Sequence, residues 1–517
     1  MNNVLQILKK DFGFDQFREG QLEIIQSILS GRDVLAVLPT GSGKTLCYHL
    51  PAKIFGGLTV IVSPLVSLME DQVTQIRANG DKAVAHISSL ISPNERKEIL
   101  KNIQSYHMIF LSPEMLALPF IKQKLISQQV SLFVVDEAHC ISQWGHEFRT
   151  DYLRLNDVRR ELGGPPCMAL TATATPEVEQ DIRRYLEMQN ESVYRAPVNR
   201  SNIYMAMETV KTPREKDAFF LDVMKKINHP TVVYTGTRKG TVYYANLLQK
   251  EGFLHVAFYH GGMTKEDRLL IQQQFIRDEV DVICCTNAFG MGINKPNIRS
   301  VIHLNLPSSI EQYVQEIGRA GRDQEQSLAL LINSEEDRFL PISFIENEFP
   351  NETWLDHMLS GERIDGLAVE EVRQLYQIDE TQWKMLMFYL EKENVIKKGY
   401  FDFKGRTNTV LAKIKKHFTR RQNDKITQLN RMNNLLHSKE CIRNNISYYF
   451  GDDVQNYSEM TWCCSACQEF DSYVQERKGL RKGEAIKTQI ESNSHQESWR
   501  DRLQSMLLRR NGDKNSE

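Results

Sequence analysis

The chain has no run of about 18 apolar residues among its 517, so it offers no membrane span. Its N-terminus, MNNVLQILKKDFGF, lacks the basic region, apolar core and small-residue cleavage site of a signal peptide. It also lacks net charge. The 64 Lys+Arg and 66 Asp+Glu leave −2, which argues against coating nucleic acid by bulk charge but not against a local basic path. Cysteine is scarce and uneven, with nine in all. Cys47, Cys140, Cys167, Cys284 and Cys285 lie in or near apolar segments and read as reduced core thiols. Cys441, Cys463, Cys464 and Cys467 gather near the end, a pattern that suggests metal before disulfide. A cytoplasmic location (nucleoid-associated in a bacterium) is expected, and 517 residues should hold roughly three or four domains at about 100–200 residues each.

What is present is a recurring unit. RDVLAVLPTGSGKT, LTVIVSP, HMIFLSP, SLFVVDEAH and CMALTATATP are short apolar runs, each followed by a turn and a helical pattern. Continuous apolar strands with helices between them indicate an α/β fold, a parallel sheet covered on both faces. The pattern restarts at PTVVYTGT and runs through LHVAFYHGG, VDVICCTNAFGMG and RSVIHLNLP, giving a second such unit. The joint is expected near 199–214, and after about Ile332 charged helical segments take over.

PTGSGKT, Pro39 to Thr45, reads as a phosphate loop. Thr40, Gly41, Ser42 and Gly43 present backbone N–H groups to an anion. Lys44 reaches the β/γ-phosphates and the Thr45 hydroxyl holds Mg²⁺. The first glycine of the full G-x-x-x-x-G-K-[ST] pattern is replaced by Leu38. Asp136 and Glu137 follow an apolar strand. An acid there suits Mg²⁺ ligation, and its neighbour can orient the attacking water. Arg319 and Arg322 sit three apart on a predicted helix of the second unit. If the units meet over a nucleotide, both can act as arginine fingers.

Taken in order, the phosphate loop, DEAH, TATAT and QEIGRAGRD resemble a superfamily 2 helicase motor, and more narrowly the RecQ family. FGFDQFREGQLEII is similar to that family's adenine-recognition element, which implies roles for Phe14, Arg18 and Gln21. The resemblance covers about residues 8–335. It implies two RecA-like domains with ATP in the cleft and Mg²⁺-dependent, 3′→5′ unwinding of DNA in repair or recombination. Single-stranded and forked DNA are the implied partners, with single-strand-binding or recombination proteins possible beyond them. It also implies that the segment after DEAH is an aromatic-rich loop that senses single-stranded DNA. Trp144, Phe148 and Arg149 are the candidates for contact or coupling, and Thr171 and Thr173 for a second coupling segment. Each aromatic taken alone reads equally well as core.

The C-terminal third departs from the family. ECIRNNISYYFGDD followed by Cys463, Cys464 and Cys467 resembles its four-cysteine zinc site, but the family spacing places a ligand at Thr461. Cys463 is the substitute, which gives a Cys441/Cys463/Cys464/Cys467 set for one structural Zn²⁺; three ligands, an empty site, or completion by a histidine such as His437 are the alternatives. The resemblance further implies winged-helix and HRDC domains, for which the roughly fifty residues after Cys467 leave little room. A winged-helix-like or helical insertion is expected instead before the cysteines, as helix, turn, helix, then two strands around KGRT. Its hairpin GYFDFKGRTNTV offers Tyr400, Phe401 and Phe403 as a wedge, with Lys404 and Arg406 for phosphates. From Lys404 to Arg443, eleven Lys/Arg against two acids give 11 − 2 = +9, a candidate duplex path. The expected divisions are 1–205 and 206–342 for the two RecA-like domains, 343–412 for the insertion, 413–470 for a helical zinc module and 471–517 for a polar tail.

Overall fold

The computed structural model describes residues 2–142, 149–290, 295–350, 352–359, 364–376, 379–453 and 460–476. Two parallel sheets dominate. The first comprises β1 (Val34–Val37), β2 (Leu58–Val62), β3 (Val84–Ile87), β4 (Met108–Leu111), β5 (Val130–Val135), β6 (Cys167–Thr171) and β7 (Ser192–Arg195), in the order β3-β4-β2-β5-β6-β1-β7. The second comprises β8 (Ile203–Val210), β9 (Thr231–Tyr234), β10 (Val256–Tyr259), β11 (Val282–Cys285), β12 (Ser300–His303) and β13 (Ser327–Ser334), in the order β10-β11-β9-β12-β13-β8. Most of these strands are buried on both faces, which is why they read as continuous apolar runs rather than as alternation. Two RecA-like parallel-sheet lobes followed by a helical C-terminal region is the fold expected from the sequence.

The chain passes between the sheets at residues 196–202, slightly earlier than the expected boundary at 205, because β8 pairs in parallel with β13 over eight residues. The five core cysteines are all buried, and burial pushes the thiols of Cys47 and Cys167 up to about 12.

The C-terminal helices do not form a separate core. Trp383, Phe401, Val410, Phe418, Cys463 and Cys464 belong to the same buried cluster as Val232, Tyr313 and Leu331 of the second lobe. The long helix Thr407–Leu436 runs along this seam. The expected polar tail begins later than 471, since Tyr473 and Val474 are buried on the opposite face of the second sheet, where Tyr473 stacks on Tyr204 at 4.3 Å.

Helices Val369–Tyr376 and Glu380–Lys392 precede a hairpin of β14 (Ile396–Lys397) and β15 (Tyr400–Phe401). The turn is Lys398–Gly399, both at positive φ, as a two-residue hairpin requires. The strands therefore do not flank KGRT. Lys404 and Gly405 make a second left-handed turn, and that one opens the long helix. Phe401 and Phe403 are each 1% exposed and stack on one another, so only Tyr400, at 54%, is available to a ligand. The basic stretch is also partly consumed within the protein. Lys413, Lys415 and Lys425 pair with Glu393, Asp356 and Glu348, Arg421 and Arg431 lie over Phe349 and Tyr449, and Arg443 is buried.

Candidate active site

The phosphate loop follows β1 and leads into the helix Lys44–Ile54. Gly41 (φ +85) and Gly43 (φ +82) supply the left-handed conformations that turn N–H groups inward, so the missing glycine at Leu38 is not needed. Leu38 instead continues the sheet, its N–H donating to Thr171 O at 2.9 Å. The element around Phe14 is tied to this loop. The Arg18 guanidinium donates to Gly41 O, while the Gln21 amide accepts from Arg18 N (2.9 Å) and donates to Ser42 O (2.9 Å). Phe14, 54% exposed, stands on the rim of the same cleft as an apolar face for a planar base.

Asp136 and Glu137 leave the end of β5, with Glu137 in the left-handed region (φ +48). Lys44 Nζ lies 3.9 Å from the Glu137 carboxylate. Burial, then the neighbouring Glu137 charge, push the Asp136 carboxyl up to about 7, against the pull of Lys44. Thr45 and Asp136 both line the cleft, and their oxygens are the hard donors that Mg²⁺ takes. A dication held there would favour the Asp136 carboxylate.

Arg319 and Arg322 reach this cleft from the second lobe, but not from a helix. Helix Ile310–Ile317 stops at Gly318, and Gly321 at φ +54 turns the chain, so both arginines stand in the turn that follows. Arg319 donates to Gly290 O. Burial, then the charges of Arg319 and Arg200, lower the Arg322 guanidinium to about 9. Such crowding of cations is relieved by a polyanion. The lobes touch here: Thr40 Oγ1 donates to Gly318 O at 2.8 Å, and a Cβ on Gly41 would lie 3.2 Å from Arg322 Cγ. The cleft has a volume of about 540 Å³.

Thr171 and Thr173 connect to this centre through a residue that sequence reading passed over. His139 Nδ1 bonds Thr171 Oγ1, and Thr171 Oγ1 donates to Thr173 O at 3.0 Å. Arg149 does not point freely outward. Its guanidinium donates to Pro64 O at 2.9 Å and its N–H to Cys140 O, anchoring the end of the loop. Trp144 and Phe148 lie outside the described residues. A second cleft of about 760 Å³ opens on the second lobe, lined by Thr235, Arg238, Thr286, Asn305 and the rim residue Phe344. Arg319 and Gln315 line both clefts and form the wall between them.

Two groups of potential metal ligands occur among the described residues. Cys441, Cys463, Cys464 and Cys467 place their Sγ atoms within 4.8 Å of one another, with 3.6 Å for Cys441–Cys463, 3.9 Å for Cys441–Cys464 and 3.5 Å for Cys464–Cys467. A tetrahedron of sulfurs around Zn²⁺ at about 2.3 Å has edges of about 3.8 Å. Ile442 N–H also donates to Cys464 Sγ at 3.4 Å, as outer partners of a metal thiolate do. His437 is not part of this group. In the other group, Asp81 accepts from His49 (2.8 Å) and His107 (2.9 Å) and pairs with Lys53 at 3.5 Å, a hydrogen-bonded network closed without an ion.

Known proteins carry the same organisation. Residues 18–182 match the DEAD/DEAH box helicase family and residues 215–324 the helicase conserved C-terminal domain. The chain is 41% identical to the probable ATP-dependent DNA helicase RecS of Bacillus subtilis over 93% of its own length and 95% of that protein's. It is 41% identical to ATP-dependent DNA helicase RecQ of Haemophilus influenzae, over 63% of this chain and 52% of that longer protein. In fold it is similar to the Mycobacterium smegmatis helicase Lhr bound to ssDNA and AMP-PNP, with a TM-score of 0.53 and 18% identity over 73% of this chain and 56% of that one. No described helix is long and apolar enough to cross a membrane. With RecS matched across nearly all of both chains, and with the two helicase halves meeting at one nucleotide-sized cleft, this protein belongs to the RecQ-type DNA helicase family.

Proposed function

We propose that the chain is an ATP- and Mg²⁺-dependent DNA helicase that tracks 3′→5′ on single strands and opens forked duplexes, in DNA repair or recombination. One observation carries this reading: Lys44, Asp136 and Glu137 of the first lobe and Arg319 and Arg322 of the second line a single cleft. Lys44 and the loop amides hold the β/γ-phosphates, Thr45 and Asp136 hold the metal, and Glu137 orients water. The two guanidiniums stabilise charge on the transferring phosphoryl group. A nucleotide closes the lobes through these arginines, and hydrolysis releases them. Phe14 carries the adenine ring.

The strand path runs from the loop after Asp136 to the cleft of the second lobe, where Thr235, Arg238 and Thr286 offer hydroxyls and a cation to phosphates and Phe344 a stacking face. The cysteine set is a structural Zn²⁺ site with four sulfur ligands. Residues 343–412 are a winged-helix-like module whose Tyr400 is the wedge, and 413–470 the zinc module. The protein works in the cytoplasm or on the nucleoid.

Strand displacement on a forked duplex with a 3′ single-stranded arm, with ATP turnover followed in parallel, tests the reading. Single strands should strongly stimulate turnover, and Lys44→Ala should abolish it. Equal or faster opening of an RNA duplex, or turnover indifferent to DNA, would sink it.

A further inference from the structure

The two lobes are joined at the nucleotide cleft by a side chain that does not line it. Arg200 lies midway along the passage from β7 to β8. Its Nη1 stands 3.4 Å from Thr40 O in the phosphate loop and 3.4 Å from Gly318 O, and its Nη2 stands 3.3 Å from Ala320 O and 2.6 Å from Gly321 O. One guanidinium thus grips the first lobe's phosphate loop and the backbone on both sides of Arg319. The acceptors are four neutral carbonyls. The acid facing Arg200, Asp323, is itself held by Arg299. Burial accordingly lowers the Arg200 guanidinium. A cation kept among carbonyls at that cost serves geometry, and only a planar fork reaches four acceptors in two directions.

The other side of Arg200 is fixed as well. Arg443, 1% exposed, donates to Arg200 O (2.8 Å), Asn199 Oδ1, Ile203 O and Cys463 O (3.2 Å). The linker is therefore clamped to the cysteine module, and its one long side chain is aimed at the cleft.

We propose that Arg200 is a positioning residue for ATP hydrolysis. Its fork sets the register between the phosphate loop and the Arg319–Arg322 turn, and Arg443 holds the linker from which it acts. It touches neither phosphate nor metal. Its removal leaves nucleotide contacts in place and misplaces the arginines, and misplacement by about 1 Å costs up to about 100-fold.

The proposal rests on the chain being an ATPase, so parent turnover with single-stranded DNA is measured first. Arg200→Ala and Arg200→Lys, in the full chain, should each lower kcat by at least about tenfold with KM for ATP within about threefold, the pattern of a lost transition-state interaction. Lysine keeps the charge but not the fork, so it should not rescue. A second readout needs no turnover. Donor and acceptor dyes on non-natural residues at the exposed positions Leu90 and Leu254, one per lobe, report closure with Mg²⁺ and AMP-PNP. The parent should settle into one closed distance and the variants should stay spread. A kcat within twofold of parent for either variant, or a parent-like closed population, overturns the proposal. If Arg200→Ala does not fold, Arg200→Lys decides. A parent without turnover would instead count against the helicase reading, and the closure measurement would still judge Arg200.

Discussion

His139 Nδ1 lies 2.9 Å from Thr171 Oγ1, and the same nitrogen is 3.4 Å from the Glu137 carboxylate. Because Thr171 Oγ1 donates its own proton to Thr173 O, the imidazole is the donor to Thr171. Glu137 and the threonine segment therefore share one side chain. His139→Ala should keep unstimulated turnover within about threefold of parent while stimulation by single strands drops at least about tenfold. Glu137→Gln should lose turnover altogether, by about 10²–10⁴-fold, with ATP still bound. Steady-state ATPase with and without DNA measures both. Full stimulation in His139→Ala would remove the imidazole from the coupling path.

The hairpin offers a sharper contrast. Tyr400 is exposed, and stacking on a terminal base is worth about 1–3 kcal/mol. Tyr400→Ala should slow strand displacement roughly tenfold and leave DNA-stimulated turnover unchanged. Phe403, buried against Phe401, should behave oppositely: Phe403→Ala should destabilise the protein by about 3–5 kcal/mol. Thermal melting beside an unwinding assay separates the two. Parent-like unwinding in Tyr400→Ala would mean the hairpin is not the wedge.

Asp81 predicts an acid limb in stability. Burial works to raise its carboxyl, but hydrogen bonds from His49 and His107, followed by the charges of His107 and Lys53, outweigh it and hold the group at about 2. A folded-state value below the unfolded one, about 3.9, gives stability that is complete above about pH 4 and lost as pH falls toward 2. Asp81→Asn should therefore be less stable than parent by about 2 kcal/mol at pH 7, and the gap should close below pH 4. Denaturant melts at pH 7, 5 and 3 report it. A gap that does not vary with pH would show that the carboxylate charge is not what the site uses.

Metal analysis of the purified chain should find close to one zinc. Cys464→Ser should lose the metal and melt at a clearly lower temperature, because structural zinc contributes folding energy directly. A zinc content far below one per chain in protein never exposed to chelator would refute the site.

How much of this was legible in sequence follows from the kind of signal each element carries. The strands that end in chemistry, β1 and β5, announce themselves because glycines and acids directly follow an apolar run. β3, β7, β8 and β13 carry no such punctuation, and β8 lies inside the stretch 199–214 that reads as a joint. Arg319 and Arg322 are legible from their spacing. Their escape from the helix depends on Gly318 and Gly321, and glycine marks a possible turn without saying which lobe it faces. KKG and FKG both offer a lysine–glycine turn, and only packing of Phe401 and Phe403 into the second lobe's core decides which one joins strands. Arg200 and Arg443 belong to no motif, because their partners are backbone carbonyls, which every sequence supplies equally.

The cysteine loop has one more consequence. β8 is the outermost strand of the second sheet, and Cys463–Ser465 runs parallel to it: Ser465 N–H donates to Met205 O at 2.8 Å, and Met205 N–H reaches Cys463 O. The loop thus occupies hydrogen-bonding groups that an unprotected edge presents to any passing strand. If a metal holds these four sulfurs, its removal should free that edge, and the protein so treated should self-associate, strand against strand, before it unfolds.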